Sequence, residues 1–72
     1  MTDFLRNDIA RFRSDKKVSQ QELADAISVS RKTISTVETG RFMPSVVIAL
    51  KLANYFGVAV EDLFELAVKD DK

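Results

Sequence analysis

The stretch from Ser19 to Gly40, SQQELADAISVSRKTISTVETG, constrains this chain more than any other. It carries two helical signatures with almost nothing between them. Ser19 is an N-cap residue type and Glu22 follows three positions on. Hydroxyl and carboxylate can then each satisfy an orphan backbone N–H, as a capping box. Leu23, Ala24 and Ile27 recur at helical spacing and make one apolar face. Ser30 is a second N-cap type. Behind it Ile34 and Val37 turn inward, while Arg31, Lys32, Ser35 and Thr36 point elsewhere. Ser28 and Val29 alone separate the two signatures, which leaves room only for a sharp turn. Two helices joined so tightly form a helix-turn-helix, a unit whose second helix fits a DNA major groove.

The flanking segments supply the remaining core. Thr2 to Lys17 predicts a first helix with Leu5, Ile9 and Phe12 on one stripe and Phe4 beside it, against the core or a partner subunit. Lys16 and Lys17 at its end suit the negative pole of the helix dipole. A second helix covers about Gln20 to Ile27, and a third about Arg31 to Thr39, stopped by Gly40. The loop Arg41-Phe42-Met43-Pro44 leads to Ser45, the N-cap of a fourth helix over Val46 to Phe56, with Gly57 after it. Val46, Ala49, Leu50, Ala53 and Phe56 form its packing stripe, and Val47, Ile48, Leu52 and Tyr55 widen the apolar surface beyond it. A short fifth helix, about Glu61 to Val68, precedes a frayed tail at 69–72. The expected fold is all-α: a compact five-helix bundle in one domain, residues 1–68, with the helix-turn-helix at 19–40. The surplus apolar surface on the fourth and fifth helices makes Val47, Ile48, Leu66 and Val68 the expected dimer interface.

Composition narrows the chemistry. With no cysteine and no histidine, disulfides, thiolate nucleophiles, the usual zinc sites and the commonest general base are all absent. No glycine-rich phosphate loop occurs either, so an enzyme is the poorest reading; no cofactor and no metal site is expected. No apolar run approaches the roughly 20 residues that span a bilayer, and a cytoplasmic, nucleoid-associated protein is expected. Net charge is zero, but the charges are segregated. Between Arg31 and Lys51 the basic residues Arg31, Lys32, Arg41 and Lys51 face Glu38 alone, whereas Val60 to Lys72 is mostly acidic. Phosphates respond to a local positive face, not to the sum.

The run SQQELADAISVSRKTISTVETGRFMPS resembles the Cro/C1-type helix-turn-helix regulators, in particular the short single-domain bacterial and phage repressors. Ser19-Gln20, Glu22-Leu23-Ala24, Val29-Ser30-Arg31, Thr33-Ile34-Ser35, Glu38, Gly40-Arg41 and Pro44-Ser45 carry the likeness. It continues through Ala49, Ala53, Phe56-Gly57-Val58 and Glu61-Asp62-Leu63-Phe64. Ser28 departs from it, standing at the turn position where this family usually has glycine, a residue suited to positive φ. The resemblance implies a lambda-repressor-like DNA-binding domain. It also implies a structural ion pair between Arg13 and Glu38, and a Gln20 that contacts phosphate and braces the start of the third helix.

On this reading Arg31, Lys32, Ser35 and Thr36 have the chemistry and the placement to read base edges. Gln20, Ser30, Thr33 and Arg41 flank the groove at positions suited to phosphates. The implied function is sequence-specific binding of double-stranded DNA by a homodimer on a two-fold symmetric operator, most simply as a repressor. The alternative is an antitoxin or protein-interaction module, whose acidic C-terminal segment would dock a cationic toxin.

Overall fold

Three serines start three of the helices that build the core. In a computed structural model that describes residues 2–69, with side chains for residues 5–67, Ser19, Ser30 and Ser45 each accept a hydrogen bond from the backbone three residues on, at 3.0, 3.1 and 3.2 Å. Glu22 completes the capping box by accepting from the Ser19 N–H at 2.8 Å. The element order is β1 (Thr2–Asn7), α1 (Ile9–Lys16), α2 (Gln20–Ala26), α3 (Arg31–Glu38), α4 (Val46–Phe56), α5 (Val60–Leu63) and β2 (Phe64–Lys69).

The first four helices all stop in the same way. Lys17, Ser28, Gly40 and Gly57 have φ of 61°, 61°, 76° and 69°. At each, the residue's own N–H bonds three residues back and the next N–H bonds five residues back, as Val29 does to the Ala24 carbonyl at 2.9 Å. These are Schellman closures, which satisfy the orphan carbonyls of a helix end. Glycine takes that conformation freely at two of the positions; Lys17 and Ser28 take it against a Cβ.

Two segments differ from their expected form. The predicted first helix, Thr2 to Lys17, breaks at Asp8, and its first third is strand β1. The predicted last helix is one short turn, α5, and then strand β2. The strands pair antiparallel, Leu5 opposite Leu66 and Asn7 opposite Phe64, and the Asp8 N–H extends the pairing to the Leu63 carbonyl at 2.9 Å. The molecule is therefore five helices with a two-stranded sheet, and all-α describes it only approximately. Each strand is justified by the other at the far end of the chain, and helical spacing of Leu5 with Ile9 and Phe12 does not register that. Asn7 also sets the break: its Oδ1 accepts from the Ile9 N–H at 3.1 Å, capping α1. Lys69, expected in the frayed tail, belongs to β2, and 70–72 lie outside the described residues.

The core is Ile9, Leu23, Ala24, Ile27, Ile34, Val37, Leu52, Ala53, Leu63 and Phe64, all buried. On α4 the inward face is rotated from the expected stripe. Leu52 and Ala53 are buried and Ile48, Ala49, Tyr55 and Phe56 pack against the core, whereas Val46 and Leu50, expected inward, are exposed. An apolar helix has more than one candidate stripe, and the partners decide which one is buried.

Candidate nucleic-acid interface

Ile34 and Val37 anchor α3 in the core, and this leaves the opposite side of the helix at the surface. Arg31 and Lys32 at its start are exposed; Ser35 and Thr36, one turn on, are half-buried. The Thr36 hydroxyl donates to the Lys32 and Thr33 carbonyls at 2.9 and 3.0 Å, so its hydrogen is used within the helix. What Thr36 can still offer is its methyl group and an oxygen lone pair. Ser30 Oγ and Thr33 Oγ1 lie 2.9 Å apart at the helix start, and Arg41 is exposed just past the helix end, where its backbone N–H closes onto the Thr36 carbonyl at 3.0 Å.

Behind this face runs a connected polar network. Arg13 Nε donates to Glu38 Oε2 at 2.7 Å and its Nη2 to Oε1 at 3.3 Å; its Nη1 donates to the Val18 carbonyl at 3.1 Å. The pair is largely shielded, with the two side chains 21% and 8% exposed. The hydrogen bond to Glu38 and its negative charge raise the Arg13 pKa, against the opposing effect of burial. Gln20 Nε2 donates to Glu38 Oε1 at 3.1 Å, and Gln20 Oε1 accepts from Arg31 Nη1 at 3.4 Å. A carboxylate only accepts and a guanidinium only donates, so the amide of Gln20 has one acceptable orientation. Gln20, expected at a phosphate, is thus engaged at both ends inside the chain. It ties the start of α2 to both ends of α3, and Glu38 carries the network on to Arg13 of α1.

Pattern reading misses Asn7. Its Nδ2 donates to the Val37 carbonyl at 3.0 Å and straps β1 to the end of α3; an Asn two residues before an apolar helix face is its only local signal. Phe42 and Met43 are exposed beside that same end. Of the expected dimer residues, Val47 and Leu66 are 61% and 68% exposed, Ile48 instead packs against the core, and the Val68 side chain lies outside the described residues.

A helix-turn-helix family model, HTH_3, matches residues 9–63, which takes in every helix and the whole polar network. The chain belongs to the Cro/C1-type helix-turn-helix family of DNA-binding transcriptional regulators. This helix-turn-helix regulator is 38% identical over 60 residues to MJ0272, an uncharacterized HTH-type transcriptional regulator of Methanocaldococcus jannaschii, covering 83% of this chain and 91% of that one. It is 32% identical over 62 residues to the uncharacterized HTH-type transcriptional regulator YgzD of Bacillus subtilis, covering 86% and 94%. The crystal structure of the restriction-modification controller protein C.AhdI from Aeromonas hydrophila superposes with a TM-score of 0.70 at 30% identity, over 75% of this chain and 82% of that one. Among the described residues, the regulator has no cluster of side chains that could hold a metal ion and no helix long and apolar enough to cross a membrane.

Proposed function

We propose that this regulator is a repressor that binds a two-fold symmetric operator as a homodimer, with α3 in the major groove. The observation that carries the reading is the charge on α3. Glu38 is the helix's single acid, and it is turned away from the surface and neutralised by Arg13. Arg31 and Lys32 are exposed and have no salt-bridge partner among the described residues. The surface that would enter the groove is therefore positive although the chain as a whole is neutral. In this arrangement Arg31, Lys32, Ser35 and Thr36 read bases, Ser30, Thr33 and Arg41 meet phosphates, and Gln20 braces Arg31 against Glu38.

Selection from a randomised duplex pool tests it. The expected product is a motif with two-fold symmetry, bound with an affinity that falls steeply with salt. Failure to enrich any motif would remove sequence-specific binding from the proposal. Placed over a promoter driving a reporter, the selected site should lower transcription when the regulator is supplied; a rise would make it an activator.

A further inference from the structure

Phe42, Met43, Val46, Val47, Leu50 and Leu66 are each 50–75% exposed. Summed over the six, this is on the order of 600 Å² of exposed side-chain surface, enough to supply most of the ~800 Å² per partner of an ordinary interface. Phe42 and Met43 also border a cavity of about 300 Å³. Leu5, Val37, Pro44 and Phe64 wall it, and no charged residue lines it. Beside the cavity stands Leu66. It is the cross-strand partner of Leu5 and two residues from Phe64, so it shares the sheet face that forms one wall, and it projects into solvent.

The two polar side chains in the lining are already hydrogen-bonded within the chain. The amide of Asn7 donates to the Val37 carbonyl and accepts from the Ile9 N–H, and the Thr39 hydroxyl donates to the Ser35 carbonyl. With those side chains engaged, no charged group in the lining, and Leu5, Val37, Pro44 and Phe64 as its walls, the cavity suits an apolar side chain. A cavity of ~150 Å³ takes benzene; this one has room for a leucine side chain. A projection and a fitting hollow side by side on one face are self-complementary under a two-fold axis that passes between them.

We propose that the homodimer forms by reciprocal insertion: Leu66 of each protomer enters the cavity of its partner, and the exposed residues of the 42–50 segment close around it. The inference rests on the dimeric reading above and names its interface. Because Val37, Thr39 and Gly40 also line the cavity, the axis would pass near the C-terminal ends of the two α3 helices. Arg31, at the other end of α3, would then read base pairs far from the operator's centre.

The chain has no cysteine, so introduced ones report only on the chosen pair. Leu66→Cys protein mixed with Met43→Cys protein should give a disulfide-linked heterodimer under mild oxidation. Leu66→Asp and Met43→Asp, both at exposed positions, should keep the wild-type circular dichroism and each weaken dimerisation at least tenfold by sedimentation. A dimer that gives no such cross-link and ignores both Asp substitutions overturns reciprocal insertion and leaves the dimeric reading intact. A chain that is monomeric at micromolar concentration, both free and on DNA, overturns both.

Discussion

Ser28 carries a conformation that L-residues avoid, and this makes it the simplest residue at which to test the turn. Its φ of 61° is the left-handed region, where a Cβ crowds the backbone at a cost of roughly 1–2 kcal/mol. Glycine relieves that crowding but loses more chain entropy on folding, roughly 0.5–1 kcal/mol. Ser28→Gly should therefore stabilise by up to about 1 kcal/mol, a rise in melting temperature of ~4–8 °C per kcal/mol for a domain this small. Gly57→Ala is the converse experiment. A Cβ there meets nothing within 4 Å, so any loss of stability comes from the backbone alone. A lower melting temperature for Ser28→Gly would show that the serine makes an interaction worth more than the strain.

The Arg13–Glu38 pair is a residue-scale question too. It is neither a surface pair worth ~0–1 kcal/mol nor a fully buried one. Removing either partner should cost about 1–3 kcal/mol, with a coupling energy in the double mutant, because the survivor is left shielded from water and unpaired. Arg13 has a raised pKa when folded, so its contribution is complete below arginine's ordinary pKa and is lost only as pH climbs through the folded value, in strong alkali. The stability difference between wild type and Arg13→Ala should accordingly stay constant from about pH 6 to about pH 9. Additive single mutants, or a gap that closes across that interval, would mean the pair is not coupled as its geometry indicates.

At the scale of elements, the proposed division between base-reading residues on α3 and phosphate contacts at its flanks predicts distinct mutant behaviours. Arg31→Ala should cost on the order of 1–3 kcal/mol on the preferred site and relax selection at one base pair per half-site. Arg41→Ala should weaken binding to all sequences alike and flatten the salt dependence, by about 0.9 in log–log slope for each phosphate that the variant no longer neutralises. Gln20→Ala should act through Arg31, blurring the same base pair by a smaller amount, since it removes the amide that holds the guanidinium. Selection on the three variants compares them. If Arg31→Ala returns the wild-type motif and Arg41→Ala a new one, the roles are assigned the wrong way round. The elements that carry this site are readable from the chain because each is specified locally. Ser19 with Glu22, Ser30, and the spacing of Ile34 and Val37 all lie within a few residues of what they control. The strands are not readable, because Leu5 finds Leu66 only across the whole length of the chain. The buried side of α4 is hidden for a related reason: Val46, Leu50 and Leu52 are equally apolar in sequence, and only the packed neighbours distinguish them.

At the scale of the whole molecule, the body is small enough for two copies to span one turn of DNA, with overall dimensions of 41 × 22 × 21 Å. A two-fold dimer would set its α3 helices about 34 Å apart, opposite successive major grooves on one side of the duplex. Rigid attachment then makes spacing as important as sequence. Inserting about five base pairs between the half-sites turns one of them to the far side of the duplex, where the second α3 cannot follow. Affinity should drop to that of a single half-site. An insertion of about ten base pairs should not rescue it, since the groove returns to the same side but a full turn too far away. Both effects should be absent from Leu66→Asp protein, whose protomers would bind each half-site independently. Gel-shift titrations on the three spacings measure this directly. Equal affinity for all three by the wild-type protein would mean that the two half-sites are read by protomers that do not touch.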